Sequence, residues 1–204
     1  MLAMSSAAGV GWARDADIRD RLREEISRQH EGERDTVLVE EMGLCEGEAR
    51  LDLGVINGRF IGYEIKSPRD TLTRLPRQVD VYSRTLDEVE IVTCETHLAG
   101  VLALVPEWWG VRLVEADGDS IVLRSFRAAS PNPGWDPRSL VQLLWRNETL
   151  EVLAELGCDR GVRTKPKLAL WERLVESVTR EKLHSIVLSR VKAREGWTTA
   201  RPLG

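Results

Sequence analysis

Two carboxylates and one ammonium group lie close together in this sequence, in an order that suits chemistry on a phosphodiester bond. Asp52 belongs to one run of apolar residues, and Glu64 and Lys66 belong to the next, so a β-hairpin would bring the three side chains together. A divalent cation such as Mg²⁺ needs only one or two protein carboxylates. An ammonium group beside it could orient an attacking water and offset the charge that develops on the phosphate. The pattern therefore predicts metal-dependent hydrolysis of phosphodiester bonds.

The position of these side chains depends on how the hairpin turns. Asn57-Gly58 is a strong hairpin signal, and a two-residue turn would pair Asp52 with Tyr63 and divide the apolar side chains between both faces. A loop over 56–58, with Gly58 in the left-handed conformation, avoids this cost. The expected apolar face then contains Leu51, Leu53, Val55, Ile61, Tyr63 and Ile65. The expected charged face contains Glu48, Arg50, Asp52, Glu64 and Lys66, with open space at Gly54 and Gly62.

The same charged face could instead be a solvated ladder of salt bridges that binds nothing. A Glu-x-Lys motif is a weak signal by itself, because short motifs recur by chance. Its context favours chemistry in this chain: an Asp on the preceding strand, small residues between the charged groups, and a downstream Gln78-x-x-x-Tyr82.

The elements around the hairpin alternate between helices and strands before the chain becomes wholly helical. Apolar periodicity predicts a first helix near 15–30 and a helical stretch over 70–86, which Pro76 should interrupt or restart. The predicted strands are 36–39, 49–56, 59–67, 89–93, 101–105, 111–114 and 121–126. A linker rich in Pro precedes three predicted helices at 138–156, 166–178 and 180–194. The fold class is therefore α/β, in the order helix, three strands, helix, strand, with a helical C-terminal part.

These motifs resemble the PD-(D/E)XK nuclease superfamily, whose signature is an Asp on one strand, Glu-x-Lys on the next and a helix behind. Gln78 followed by Tyr82 resembles the Gln-x-x-x-Tyr motif of its RecB-like branch. More closely, four segments are similar to a family of largely uncharacterised bacterial and phage proteins in that superfamily: residues 62–67, 69–72, 74–78 and 108–110. The superfamily's Pro before the Asp is Leu51 here. The resemblance implies a restriction-endonuclease-like core (αβββαβ, a mixed sheet flanked by helices) over 1–129 and an all-α domain over 138–204.

The site residues follow from this resemblance and from the chemistry. Asp52 and Glu64 are the expected ligands of Mg²⁺ or Mn²⁺, and the resemblance adds the Ile65 carbonyl as a third ligand. Lys66 would lie near the nucleophilic water and the scissile phosphate. Glu48 could hold a second metal or act through a water molecule.

Further residues are candidates for catalysis or for contacts with nucleic acid. Gln78 and Tyr82 share one helical face and could reach over the site, although Tyr82 could equally be a core aromatic. Three basic residues could contact phosphates or simply solvate a helix: Arg69, Arg74 and Arg77.

The C-terminal part carries a second candidate for nucleic-acid binding. Basic residues outnumber acidic ones from residue 160 onwards, although the net charge of the whole chain is −4. A basic loop between two helices contains Arg163, Lys165 and Lys167 and looks like an SAP-type nucleic-acid-binding motif. The alternative is a helical cap over the sheet, with a core of Leu143, Leu144, Leu153 and Leu156.

Composition limits the remaining possibilities. The negative net charge argues against non-specific coating of nucleic acid. Three isolated cysteines, the absence of a basic n-region in the first residues and the lack of a membrane-length apolar run predict a cytoplasmic protein.

The expected function is a metal-dependent deoxyribonuclease in DNA repair, restriction or phage biology. The expected partner is DNA, with RNA and a homodimer left open, as is the choice between endonuclease and exonuclease. The rival hypothesis is a non-catalytic nucleic-acid-binding protein that retains the nuclease fold.

Overall fold

The computed structural model describes residues 13–33, 35–118, 120–194 and 201–202 of the 204-residue chain. The first residues, on which the expectation about an n-region depends, lie outside these ranges, as do parts of both predicted domains at the chain ends. The described strands are β1 (Val37–Leu44), β2 (Ala49–Ile56), β3 (Phe60–Lys66), β4 (Glu88–Thr93), β5 (Gly110–Asp117), β6 (Ser120–Arg127) and β7 (Arg201–Pro202).

The strands form one mixed sheet in the order β6-β5-β4-β3-β2-β1-β7. β4 is parallel to both β3 and β5, and every other neighbouring pair is antiparallel. The helices are α1 (Asp15–Gln29), α2 (Leu75–Thr85), α3 (Glu95–Leu104), α4 (Pro137–Leu140), α5 (Arg146–Glu155), α6 (Lys167–Ser177) and α7 (Arg180–Lys192). The predicted α/β class, with a mixed sheet flanked by helices and several C-terminal helices, is confirmed. Among the described helices, none is both long and apolar enough to cross a membrane.

Two predicted elements are wrong. Residues 101–105 were expected to form a strand, but α3 continues to Leu104 because its Ala- and Leu-rich sequence favours a helix. The single helix expected over 138–156 is broken, since a 3₁₀ turn covers 141–143 and Leu144 is extended. There the Leu144 carbonyl accepts a hydrogen bond from the indole N–H of Trp171, and the Glu148 carboxylate accepts one from the Trp145 N–H, which starts α5. Pro76 lies in the first turn of α2, as expected of a restarted helix.

The two faces of the sheet have separate cores. On one face α1 packs its buried Ile18, Leu22 and Ile26 against the sheet. On the other face α2, α3 and the C-terminal helices share one continuous core with the sheet. Each fully buried aliphatic side chain contributes about 1.5–3 kcal/mol. Leu143, Leu144 and Leu153 are buried in this shared core, as the helical-cap alternative expects, whereas Leu156, which was expected there too, is exposed. The division into two domains stays a prediction.

The hairpin register differs from the expected one by two residues. Leu53 lies opposite Tyr63 and Ile56 opposite Phe60, so the three-residue loop is 57–59 rather than 56–58. Gly58 has a φ of +95°, the left-handed conformation that was predicted. A shift of two preserves the alternation of faces. The predicted set Leu53, Val55, Ile61, Tyr63 and Ile65 therefore does share the α1-side core.

Two details of the hairpin were predicted wrongly. Leu51 lies in the α2-side core rather than beside Leu53, because the alternation breaks at Asp52, near the left-handed Glu41 (φ +52°) of β1. Gly54 and Gly62 do not leave open space. A Cβ at Gly62 would lie 2.5 Å from the Leu86 Cδ1 atom, and one at Gly54 would lie 2.8 Å from the Phe60 ring. Core side chains already fill the room that the glycines provide.

Candidate active site

Asp52 and the Glu-x-Lys residues meet where β2 and β3 separate. Pairing between these strands ends at Leu53 and Tyr63. Beyond that point Asp52 Oδ2 accepts a hydrogen bond from the Ile65 N–H at 2.7 Å. In an uninterrupted ladder this N–H would instead donate to a backbone carbonyl of the neighbouring strand. Asp52, Glu64, Ile65 and Lys66 line one cavity of about 590 Å³. The predicted convergence of these residues is therefore observed.

Glu64 is the most constrained group of the site. Its Oε1 atom lies 2.5 Å from the Lys66 Nζ and 2.5 Å from the Gln78 Nε2, and its Oε2 atom lies 2.6 Å from the Tyr82 hydroxyl. Glu64 and Lys66 are only 2% and 4% exposed. A buried charge is tolerated only when it is paired and hydrogen-bonded, and this carboxylate meets both conditions. The arrangement fixes its position on the α2 side of the sheet.

One buried polar atom of the site has no hydrogen-bond partner among the described residues. It is Gln78 Oε1, on the same amide whose Nε2 donates to Glu64. An unsatisfied buried acceptor is costly and is characteristic of places where water, an ion or a substrate is bound.

Asp52 has unusual electrostatics. Burial, followed by the charge of Glu64, raises the pKa of Asp52 from its usual 3.8 to about 7. The Ile65 N–H and the Arg19 guanidinium oppose this shift without cancelling it. The ionised carboxylate is therefore unfavourable beside Glu64 unless additional positive charge is present.

The contribution of α1 to the site is not apparent from the sequence. Arg19 donates to Asp52 Oδ1 at 3.1 Å and to Asp15 Oδ2 at 3.1 Å, and it also pairs with Glu41. Burial lowers the pKa of Arg19, but its three carboxylate partners outweigh burial and raise it overall. The available signal was the Asp15–Arg19 spacing of four residues on a helix, beside the apolar stripe at Ile18. Nothing in that spacing pointed to Asp52.

The donor set at this position fits a divalent cation. Two acidic side chains, Asp52 and Glu64, line the cavity, and burial followed by the charge of Glu64 raises the pKa of Asp52. Oxygen donors of this kind suit Mg²⁺ and Mn²⁺. Within the described part of the chain, no group of three or more Asp, Glu, His or Cys side chains is gathered in a way that could hold a metal. Two carboxylates and the predicted Ile65 carbonyl would therefore be the protein's share, and water would complete the coordination.

Glu48 is paired with two arginines of α2, and its expected role at a second metal or through a water molecule stays a prediction. It lines the cavity, but its carboxylate accepts hydrogen bonds from Arg77 at 2.5 Å and Arg84 at 2.9 Å, both on α2. These ion pairs link the start of β2 to α2. Arg77 is itself held by Glu48, whereas Arg74 is exposed and also lines the cavity. Arg69 is exposed but is not part of the lining.

Tyr82 is the core aromatic of the alternative interpretation. It is fully buried and stacks on Trp109, with ring centroids 5.9 Å apart and an interplanar angle of 13°. Its hydroxyl also lies 2.7 Å from the Arg50 carbonyl oxygen. Direct contact with nucleic acid is incompatible with this burial, so the role expected for Tyr82 is corrected to orienting Glu64.

The three basic residues predicted in the C-terminal part lie outside the cavity lining. Arg163 pairs with Asp159, and the Arg146 guanidinium donates to the Arg163 and Lys165 carbonyls. Lys167 pairs with Glu46 at 2.6 Å, and its Nζ also lies 4.5 Å from the centroid of the Trp171 ring.

Comparison with known proteins identifies relatives of this chain. The family model described as Bacteriophage P4 protein cII matches residues 13–199. Protein cII of Enterobacteria phage P4 is 29% identical over 87 residues, which are 43% of this chain and 33% of that protein. The match thus spans about one third of that relative's length.

Among solved structures, a protein of unknown function from Silicibacter pomeroyi aligns with 18% identity and a TM-score of 0.39. The alignment covers 81% of this chain and 100% of the other.

Proposed function

This chain belongs to the bacteriophage P4 protein cII family, and we propose that it is a metal-dependent nuclease that hydrolyses phosphodiester bonds in DNA. The observation that carries the proposal is the convergence of Asp52, Glu64 and Lys66 on one cavity, at a break in the β2–β3 ladder. A buried ion pair adds little net stability compared with apolar packing, so its presence at this position needs a further reason. Catalysis supplies one.

We also propose that the core is of the PD-(D/E)XK, restriction-endonuclease-like type. The order α1, β1, β2, β3, α2, β4 supports this assignment, as do the strand positions of Asp52 and Glu64. Gln78 and Tyr82 both bond to Glu64 from α2, which supports the resemblance to the RecB-like branch.

Each residue of the site has a role in the proposed reaction. Asp52, Glu64 and the Ile65 carbonyl would hold Mg²⁺ or Mn²⁺, which when bound polarises the phosphate and makes a water molecule more acidic. Lys66 has three N–H donors, one of which bonds to Glu64. The others can orient the attacking water and donate to a phosphoryl oxygen that gains charge.

Residues around this set position it and the substrate. Gln78 and Tyr82 hold the Glu64 carboxylate in place, and Arg19 does the same for Asp52 from α1. Arg74, exposed at the cavity, can contact a substrate phosphate without reading its base.

Cleavage assays on linear, nicked, single-stranded and branched DNA test the proposal. We expect cleavage with Mg²⁺ or Mn²⁺ and none in EDTA. Asp52→Asn and Glu64→Gln preserve shape and should each reduce cleavage at least about 100-fold, because each removes a charged ligand of the ion. The matched control is Glu115→Gln, which alters an exposed carboxylate paired with Arg124 on the β5–β6 ribbon and should retain full activity. Cleavage that persists in EDTA or in Asp52→Asn would contradict the mechanism.

One observation favours the rival function, a nucleic-acid-binding protein that does not cleave. Both oxygens of Glu64 are engaged by Lys66, Gln78 and Tyr82, which is also what a purely structural network would look like. This rival predicts DNA binding that survives Asp52→Asn, with no product under any metal condition. The same set of assays therefore separates the two functions.

A further inference from the structure

A large aromatic side chain stands in solvent close to the candidate active site. Trp145 precedes α5 and is 61% exposed. Its backbone is nevertheless firmly held, because its N–H donates to the Glu148 carboxylate at 2.7 Å and its carbonyl accepts from the Thr149 hydroxyl at 2.9 Å. The Arg194 guanidinium lies 4.2 Å from the centroid of its ring. The indole is therefore accessible to solvent on a firmly held backbone, with the Arg194 guanidinium over its ring.

Trp145 belongs to a groove that adjoins the active-site cavity. This groove, the Trp145 groove, has a volume of about 430 Å³ and is lined among others by Gly43, Gly47, Gln142, Trp145, Lys167 and Arg194. Gly43 and Gly47 also line the cavity that contains Asp52 and Glu64. The two depressions therefore meet at Gly43 and Gly47.

The backbone between the two depressions is strained. Cys45, Glu46 and Gly47 have successive φ values of +48°, +58° and +90°. A left-handed conformation costs a non-glycine residue roughly 1–2 kcal/mol, and such strain concentrates at functional sites. Lys167 on α6 pairs with Glu46 in this turn, so the turn is tied to the helix that borders the groove.

The charges of the groove favour an anionic ligand only modestly. Lys167 and Arg194 face it, but Glu46 and Glu148 pair with them. Arg146 and the predicted basic loop lie close by, since Arg146 bonds to the carbonyls of that loop. Cations around an exposed aromatic ring are the combination that binds unpaired bases, by stacking with supporting phosphate contacts. A duplex, whose bases are already stacked, cannot use the indole in this way.

We propose that the Trp145 groove binds single-stranded nucleic acid, with Trp145 as the stacking platform, and leads the strand to or from the active-site cavity. The path of the strand to or from the cavity rests on the proposed nuclease function. The binding itself does not depend on cleavage. The substrate class it specifies is a single strand or a single-stranded extension of a duplex.

Binding measured without divalent metal tests the inference separately from catalysis. The probes are a fluorescein-labelled oligothymidylate of about 20 nucleotides and a blunt duplex of the same length, followed by fluorescence anisotropy in EDTA. Trp145→Ala should weaken single-strand binding between about 5-fold and about 100-fold, the usual worth of one stacked base. Binding of the duplex should change much less. Trp145→Phe keeps a ring and should retain most of the affinity.

Two further variants make the result interpretable. Phe126→Ala also removes an exposed aromatic side chain (51%), but on β6, an edge strand separated from the β1–β2 pair by three other strands. This variant should leave the affinity for single strands unchanged. Trp145→Leu keeps an apolar side chain beside Arg194, so it should stay folded and still bind weakly. Thermal melting of each variant verifies that loss of affinity is not loss of fold.

The possible outcomes separate the two proposals. If Trp145→Ala binds the single strand as tightly as the parent chain, or loses equal affinity for both probes, the inference is overturned even when metal-dependent cleavage is found. If single-strand binding depends on Trp145 but no cleavage occurs, the groove stands and the nuclease proposal fails.

Discussion

The two ends of the β2–β3 hairpin are held together by different interactions. At the turn, Leu53 to Ile56 pair regularly with Phe60 to Tyr63, and core side chains pack tightly over Gly54 and Gly62. At the opposite end the ladder stops, and the Asp52 carboxylate replaces a backbone acceptor for the Ile65 N–H. The end at the turn, here called the closed end, buries apolar side chains. The opposite end, here called the open end, buries charged side chains.

This difference shows how one hairpin can hold ionic groups beside a tightly packed apolar core. The regular end supplies rigid packing, which is worth about 25 cal/mol for each Å² of apolar surface removed from water. The open end exposes both faces of the gap, so that Arg19 reaches Asp52 from the α1 side while Gln78 and Tyr82 reach Glu64 from the α2 side. The free energy of unfolding should therefore be sensitive to changes of charge at the open end and to changes of side-chain volume at the closed end.

The largest effect is expected from removing the ammonium group at the open end. Lys66→Met leaves the Glu64 carboxylate buried without a cation and should lower the free energy of unfolding by about 3–5 kcal/mol. Urea denaturation measures this. The double variant Lys66→Met/Glu64→Gln should recover most of the loss, because it removes the uncompensated charge as well. Arg124→Met, which breaks the exposed pair with Glu115, should cost less than about 1 kcal/mol.

A change of opposite sign is expected at Asp52. Because its folded pKa is raised to about 7 from 3.8, the protonated form is favoured by folding, and this stability is lost as the pH rises through 7. Asp52→Asn removes the titration, so it should match the parent chain below about pH 4. Above pH 7 it should be more stable by up to about 4 kcal/mol.

Urea denaturation across this pH range checks the effect at Asp52. Added Mg²⁺ should narrow the difference by stabilising only the parent chain. A difference in the free energy of unfolding that is constant with pH would mean that the surroundings of Asp52 do not raise its pKa.

At the closed end, crowding rather than charge should decide stability. Gly62→Ala places a Cβ 2.5 Å from the Leu86 Cδ1 atom and 3.0 Å from Leu51, so packing must shift, at a cost of about 1–3 kcal/mol. Thermal or urea denaturation measures the loss. The matched control is Gly134→Ala, since a Cβ there meets nothing within 4 Å. Equal stability of the two variants would contradict the tight packing inferred for this end.

The smallest effect concerns arginines that lie at the two ends. Arg74, exposed at the open end, is expected to contact a phosphate, so Arg74→Ala should weaken DNA binding a few-fold and reduce its salt dependence by about one counterion. Arg59, in the hairpin loop and paired with Glu88, serves as the control and should have no effect when changed to Ala. Salt titrations of binding to a short duplex compare the two. A larger loss of DNA affinity for Arg59→Ala than for Arg74→Ala would contradict binding of DNA at the open end.

Much of the fold could be predicted because local patterns set it. Strand alternation identified the residues of β2 and β3 that face α1, with the exception of Leu51, and the order of elements through β4 followed from apolar periodicity. Predictions failed where short apolar runs suit a helix or a strand equally, as at residues 101–105. They also failed where a helix is interrupted by distant contacts, as at Leu144, whose carbonyl receives the Trp171 indole N–H from 27 residues away.

The candidate site was predictable in its central residues but not in its surroundings. Side chains two apart on a strand share a face, so Glu64 and Lys66 belong together in any register, and a hairpin of correct parity adds Asp52. Arg19 lies 33 residues from Asp52 along the chain, and no local rule relates them. Glu48 lines the cavity but is paired with Arg77 and Arg84, and these contacts depend on where α2 packs.

The order of amino acids by itself determined which side chains share a face wherever the strands are regular, as in β3 and the turn end of β2, because the period of a regular strand is two. Only the tertiary structure decided where the β2–β3 ladder ends, that α1 delivers Arg19 to Asp52, and that Trp145 stands exposed beside the cavity. These features arise from the packing of elements far apart in the chain, and such packing follows from the shape of the whole core rather than from any local pattern.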